Sequence, residues 1–164
     1  MNPNPIPTIL KLYRLITYLT SPTTPIPSTG ETPSTTKSEP GIGWEINNIH
    51  LFGFAQGGQV AAELALFHLD KTKSLEPSFG SLVTISAPLV SHPTSSPPAR
   101  PSKPTPGVSS DNGRTPTLML YRRGEERQMK AATYTKAFGD VKEIVLSAGG
   151  GMLRGRDEWQ DVMK

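Results

Sequence analysis

The residues of this sequence that come closest to doing chemistry lie around position 55, where glycines flank a short turn. An apolar run over 48–54 ends in Gly53-Phe54-Ala55-Gln56-Gly57, and an Ala- and Leu-rich stretch follows at once. A sharp turn of this kind holds its middle side chain out above the sheet, and flanking glycines avoid collisions with neighbouring backbone. A hydroxyl there could attack a carbonyl carbon. Residue 55 is alanine, so the position predicts the geometry of a nucleophile without the reactive atom.

The elements that must position this turn alternate between strand and helix. Strand-like apolar runs cover 48–54, 80–86, 117–121 and 141–146, and helical patterns cover 8–20, 56–69, 125–138 and 157–164. Strands that alternate with helices favour a parallel sheet. Short apolar strands without strict alternation are typical of burial on both faces. The sequence therefore predicts an α/β fold, with a parallel sheet of about four strands and helices on both faces.

Composition divides the chain into three parts. Residues 21–40 contain 15 Ser, Thr or Pro out of 20, and residues 91–110 contain 14 out of 20. Such segments bury too little apolar surface to offset the entropy of ordering, which predicts disorder. We therefore expect an N-terminal helix within 1–20, a disordered linker over 21–44, and a domain over 45–164 with a disordered loop at 88–114.

The stretch Gly53-Phe54-Ala55-Gln56-Gly57-Gly58 resembles the GFSQGG nucleophile elbow of the phospholipase/carboxylesterase family, which includes the acyl-protein thioesterases of the α/β-hydrolase fold. Five of the six residues match, and Ala55 stands at the serine position. The resemblance implies that the Gln56 backbone N–H is an oxyanion donor and that Gly53 and Gly57 shape the binding turn. The alternative is a generic strand-to-helix turn whose glycines serve close packing.

The resemblance also implies a degenerate triad and a truncated fold. Glu125 follows the third strand, where the family carries its triad acid; a helix N-terminal role favoured by the helix dipole is the alternative. No histidine occurs after His92, so the order Ser…Asp/Glu…His cannot be filled. The family's first strands have no counterpart before residue 48. We therefore expect an exposed sheet edge that the N-terminal helix, a protein partner or a homodimer covers.

Composition excludes several other chemistries. The chain has no cysteine, and its three histidines are not at metal-ligand spacing, so we predict no metal site and no cofactor. The net charge is +3 without a Lys/Arg tract, which argues against nucleic acid as a partner. No apolar run approaches the ~18 residues of a membrane span. A cytoplasmic location is the expectation, with mitochondrial targeting as the less favoured alternative.

A few further side chains carry weaker hypotheses. Ser86 and Ser147 end strands, and either is a candidate displaced nucleophile. His50 lies on the strand before the elbow, where a packed or hydrogen-bonded core residue is expected. Arginines and lysines that follow the strand ends form either an anion-attracting rim or a solvated basic surface; they are Arg122, Arg123, Arg127, Lys130, Arg154 and Arg156.

Three functional hypotheses follow. The first is a catalytically inactive relative of carboxylesterases and acyl-protein thioesterases that binds a ligand or a protein. The second is an active ester or thioester hydrolase that uses a displaced serine. The third is a degenerate or truncated product without independent function. Ala55 favours the first, because a methyl group cannot attack a carbonyl.

Overall fold

A computed structural model describes most of the two predicted ordered regions. The described residues are 5–22, 41–72, 78–89, 115–129, 131–147, 152–153 and 155–162. The core of the predicted linker (23–40) and nearly all of the predicted loop (90–114) lie outside them, so those two predictions stay predictions. Residues 41–44, at the end of the predicted linker, hydrogen-bond to the last turn of the N-terminal helix, through Ile42 N–H to the Tyr18 carbonyl and Trp44 N–H to that of Leu19.

Four strands form one parallel sheet, which confirms the predicted fold class. They are β1 (His50–Phe54), β2 (Ser81–Ile85), β3 (Thr117–Arg122) and β4 (Val141–Leu146), in the spatial order β1-β2-β3-β4. Each pair of neighbours is parallel and in continuous register. Because the carboxyl ends of parallel strands meet at one edge, the turns that follow β1, β2 and β3 are brought side by side.

Five α-helical segments and one short 3-10 helix (Ile46–Asn48) accompany the sheet within the described residues; the α-helical segments are α1 (Ile6–Thr20), α2 (Gln56–Thr72), α3 (Glu126–Met129), α4 (Ala131–Phe138) and α5 (Arg156–Val162). The helix predicted over 125–138 is helical on both sides of residue 130, which itself lies outside the described residues. Pro7 lies in the first turn of α1, where its missing N–H has no intrahelical partner to lose. The prolines near the N-terminus are thus compatible with a helix that begins at Ile6.

Alternating strand side chains build two cores. On one face, α1, α2 and α4 pack over a cluster that contains Leu82, Met119 and the fully buried rings of Phe79, Tyr134 and Phe138. On the other face, a smaller cluster joins Ile85, Leu120 and Leu146 to Leu153 and Val162 near α5. Helices therefore lie on both faces of the sheet, as predicted. Among the described residues, no helix is long and apolar enough to cross a membrane.

Candidate functional site

The turn predicted to carry the site is a single residue long. β1 ends at Phe54, α2 begins at Gln56, and Ala55 stands alone between them with a φ of 48°. Its N–H donates to the Ile85 carbonyl of β2 (2.8 Å), and its carbonyl accepts from the Gln59 N–H (3.1 Å). Left-handed backbone costs a non-glycine residue about 1–2 kcal/mol. The surrounding structure therefore imposes a strained corner at residue 55, as a nucleophile elbow requires.

Of the two glycines that stand two positions from this corner, only Gly53 is required by packing. A Cβ at Gly53 would lie 2.5 Å from the Cα and N of Gly58 and 2.6 Å from the carbonyl carbon of Gly57. A Cβ at Gly57 would have no heavy atom within 4 Å. The expectation that side chains on both sides would collide is therefore wrong for Gly57. Gly58 is the second constrained position, because its Cβ would lie 2.5 Å from that of Ala87.

Gln56 is the first residue of α2, and this position determines what its N–H can do. The first N–H groups of a helix have no intrahelical acceptor. The Gln56 N–H therefore lies at the positive end of α2, next to the Ala55 methyl group. Its role as an oxyanion donor stays a prediction.

A second corner of the same kind follows β2. Ser86 has a φ of 48°, and its N–H donates to the Leu120 carbonyl of β3 (2.8 Å). The Ser86 hydroxyl donates to Oε2 of Glu125 at 2.9 Å. The next residue, Ala87, accepts a hydrogen bond from the buried Tyr134 hydroxyl at 2.7 Å. Burial raises the pKa of Tyr134 to about 12, so this phenol stays neutral and donating.

Glu125 is placed at the same edge of the sheet, but its carboxylate is already engaged. Oε2 accepts from the Arg122 N–H (3.0 Å) as well as from Ser86, and the Glu125 carbonyl accepts from the N–H groups of Gln128 and Met129 at the start of α3. The structure brings together Glu125 and Ser86, two residues for which the sequence predicted separate roles. The two residues are 39 positions apart in the sequence, so local pattern does not predict their contact. The pairing of β2 with β3 brings them together.

Arg122 does not belong to a solvated basic rim. Its side chain is buried and forms an ion pair with Glu158 of α5 at 2.7 Å. It also donates to the carbonyls of Ser147 (3.3 Å) and Met152 (3.3 Å). The hydrogen bond that it donates to the Glu158 carboxylate raises the pKa of Arg122. Arg122 therefore anchors α5 to the sheet, whereas Arg123, Arg127 and Arg156 are exposed; Lys130 and Arg154 lie outside the described residues.

The two described histidines lie away from the two corners. His50 is exposed at the amino end of β1, where its Nδ1 lies 2.9 Å from the Ser81 Oγ, so the expectation of a core position was wrong. His68 is buried, with its ring 5.1 Å from that of Phe79. His92 lies outside the described residues. Within the part of the chain that is described, no three metal-ligating side chains group together.

Comparison with known proteins supports the hydrolase resemblance at a coarse level. A protein of Mycosarcoma maydis, named as an uncharacterized hydrolase, is 29% identical over 122 residues, which is 74% of this chain. The match covers 38% of that relative, so the chain spans about two fifths of its length. No protein-family model matches, and no solved structure matches at a significant level. The chain is thus similar to part of a hydrolase and carries a parallel sheet compatible with the α/β-hydrolase fold.

Proposed function

We propose that this chain is a hydrolase relative of the carboxylesterase and acyl-protein thioesterase type whose elbow no longer cleaves esters and serves to bind a ligand or a protein. One observation carries the proposal. The residue at the strained corner between β1 and α2, with a φ of 48°, is Ala55. Similarity to a named hydrolase supports the general class, and the alanine supports the loss of chemistry.

The magnitude of the loss follows from the chemistry. Acyl transfer at an elbow needs an Oγ to form the covalent intermediate, and the methyl group of Ala55 offers no lone pair. A site that keeps only its oxyanion donors retains on the order of 10³–10⁴ over the rate in water. The donor proposed here is the single N–H of Gln56. We therefore expect a residual rate below that range.

Glu125 supports the same conclusion. A triad acid must hold and orient a histidine. Here Oε2 of Glu125 accepts from Ser86 and from the Arg122 N–H, and neither is a base. The described histidines lie elsewhere: His50 is at the amino ends of the strands, opposite to this edge. Glu125 is therefore proposed to fix the turn after β3 rather than to serve catalysis.

The position of Ser86 supports a second candidate function. Its hydroxyl points to a carboxylate at 2.9 Å from a corner with the same φ as Ala55. If Glu125 took the proton as the Ser86 Oγ attacked an acyl carbon and expelled the alcohol or thiol, and water then released the acid from the acyl-serine, the chain would be a slow ester or thioester hydrolase. A carboxylate is a weak base for a serine hydroxyl, because efficient proton transfer needs a base whose pKa lies near the operating pH. We therefore prefer the hypothesis that the chain is catalytically inactive.

The test combines turnover with covalent labelling. The protein would be incubated with p-nitrophenyl acetate and butyrate, and separately with a fluorophosphonate followed by mass spectrometry. We expect no label and no turnover that the fluorophosphonate abolishes, and the same for Ala55→Ser because no described base faces the corner. Turnover that the fluorophosphonate abolishes would refute the proposal.

Matched variants identify any nucleophile that the label reveals. A label lost in Ser86→Ala and kept in Ser81→Ala would establish the second candidate. The reverse pattern would assign reactivity to the pair of Ser81 and His50, which are within hydrogen-bond distance at the other end of the sheet.

A further inference from the structure

The two outer strands of the sheet differ in how their open edges are protected. Helices contact both of these strands, α2 on β1 and α4 and α5 on β4, and β4 also carries Lys142 and Glu143. β1 reads His-Leu-Phe-Gly-Phe, without Lys, Arg, Asp, Glu or Pro. Natural sheets use charges, prolines and covering elements to prevent pairing at an exposed edge. β1 carries neither a charged residue nor a proline within its five residues, and among the described residues β2 is the one strand that pairs with it, so its outer edge is unpaired there.

The main-chain groups at this edge are arranged symmetrically. The Ile49 carbonyl accepts from the Gly80 N–H (3.0 Å), and the Ala55 N–H donates to Ile85 (2.8 Å), so the odd-numbered residues bond toward β2. Alternate residues of a strand direct their main-chain groups to opposite sides. The N–H and C=O groups of His50, Phe52 and Phe54 therefore point to the open edge, with Phe52 at the centre.

The side chains of the same three residues lie on one face of the sheet, because they are two positions apart. Phe52 is 54% exposed and Phe54 is 37% exposed, although both are aromatic residues on a strand. A strand that paired with β1 would bury these rings against its own side chains on that face. The chemistry it must offer is apolar or aromatic at alternate positions, and uncharged opposite Phe52.

We propose that two copies of this chain pair through β1, antiparallel and about a two-fold axis at Phe52, and join their four-stranded sheets into one. In this register Phe52 faces its own counterpart, and His50 faces Phe54 of the partner subunit. All three pairs are hydrogen-bonded pairs, so every outward N–H and C=O finds a partner. No like charges meet, and the exposed rings of each copy cover those of the other. A two-fold interface requires such a self-complementary surface.

The first test is the oligomeric state of the wild-type chain and of two lysine variants at micromolar concentration, measured by light scattering and sedimentation equilibrium. We expect a wild-type dimer. Phe52→Lys places two charges at the axis and should raise the dimer dissociation constant by about 100-fold or more. Val145→Lys is the matched control, because Val145 is a similarly exposed apolar residue (47%) on the opposite outer strand. It should leave the dimer intact.

Cross-linking tests the register without altering the aromatic rings. The chain has no cysteine, so a single introduced thiol reports only contacts between copies. With a flexible bismaleimide, His50→Cys should give a covalent dimer and Val145→Cys should not. A monomeric wild-type chain, a Phe52→Lys variant that folds and still dimerises, or cross-linking through position 145 instead would overturn the proposal. None of these outcomes bears on ester hydrolysis, so the two proposals can fail separately.

Discussion

The corners after β1 and β2 share a backbone and differ in what their side chains do. Ala55 and Ser86 both follow the last residue of a strand, both have a φ of 48°, and both donate their N–H to the next strand in the sheet. The side chain of Ala55 is a methyl group, which forms no hydrogen bond, whereas the Ser86 hydroxyl donates a hydrogen bond to Glu125. The strain at Ser86 is offset locally by a hydrogen bond. The strain at Ala55 must be offset by the packing of its neighbours.

The Ser86 corner is thus stabilised by a side-chain hydrogen bond, and the Ala55 corner is stabilised by the close packing of glycines. Gly53 and Gly58 touch at the Ala55 corner, and Gly58 also lies against Ala87 next to the Ser86 corner. The two corners are therefore one packed unit at the carboxyl edge of the sheet. A nucleophile elbow needs such a unit to hold its central side chain, and in this chain that side chain is the methyl group of Ala55.

The largest expected effect comes from adding one methyl group at the first corner. Gly53→Ala would place a Cβ against the backbone of Gly57 and Gly58, which cannot move without shifting α2. We expect the free energy of unfolding to fall by about 3 kcal/mol, the upper range for overpacking. Urea denaturation followed by circular dichroism would measure it.

Gly57→Ala is the control for this prediction, because it adds the same methyl group two residues beyond the corner into open space. As a helical position, it should gain roughly 0.5–1 kcal/mol. Equal losses in both variants would show that the corner is not held by glycine packing.

The second corner can be destabilised by removing the Tyr134 hydroxyl, which donates a hydrogen bond to the Ala87 carbonyl. Its pKa of about 12 lies above the ~10 of an unfolded tyrosine, so the unfolded chain releases its proton first. Stability is therefore fully present below pH 10 and falls as the pH rises toward 12, by on the order of 2 kcal/mol. Tyr134→Phe should lose about 1–2 kcal/mol at pH 7, from the unpaired carbonyl, and show a shallower alkaline decline.

Unfolding curves at pH 7, 10 and 11.5 would check the Tyr134 prediction. Tyr121, whose pKa is also raised to about 12 by its hydrogen bond to Glu143, accounts for the decline that remains. An unchanged alkaline slope in Tyr134→Phe would mean that the second corner does not depend on this phenol.

The smallest effects distinguish the two corners most directly. Ala55→Gly relieves the left-handed strain and should gain roughly 0.5–1 kcal/mol after the entropy of glycine is subtracted. Ser86→Gly relieves the same strain but removes the hydrogen bond to Glu125, with a net loss of about 1 kcal/mol. Thermal unfolding of both variants, with Ser86→Ala as the control that removes only the hydroxyl, would measure the difference. Effects of the same sign would erase the distinction between the corners.

Much of the fold could be predicted from local pattern. The four strands and the helix after the elbow lie within a few residues of their predicted bounds, because short apolar runs and Ala- and Leu-rich stretches have few alternative structures. The inward position of Arg122 was missed. An arginine after a strand predicts an exposed charge unless a carboxylate such as Glu158 is brought to it, and that residue is 36 positions away.

The sequence by itself determined the alternation of strand and helix, the glycine-flanked turn and the absence of a hydroxyl at residue 55, since each depends on neighbours within a few positions. Only the tertiary structure decided that Ser86 meets Glu125, that Gly58 rather than Gly57 is the constrained glycine, and that Phe52 and Phe54 remain exposed. The reason is physical. Parallel pairing brings together residues tens of positions apart, and the register of the strands decides which of them touch.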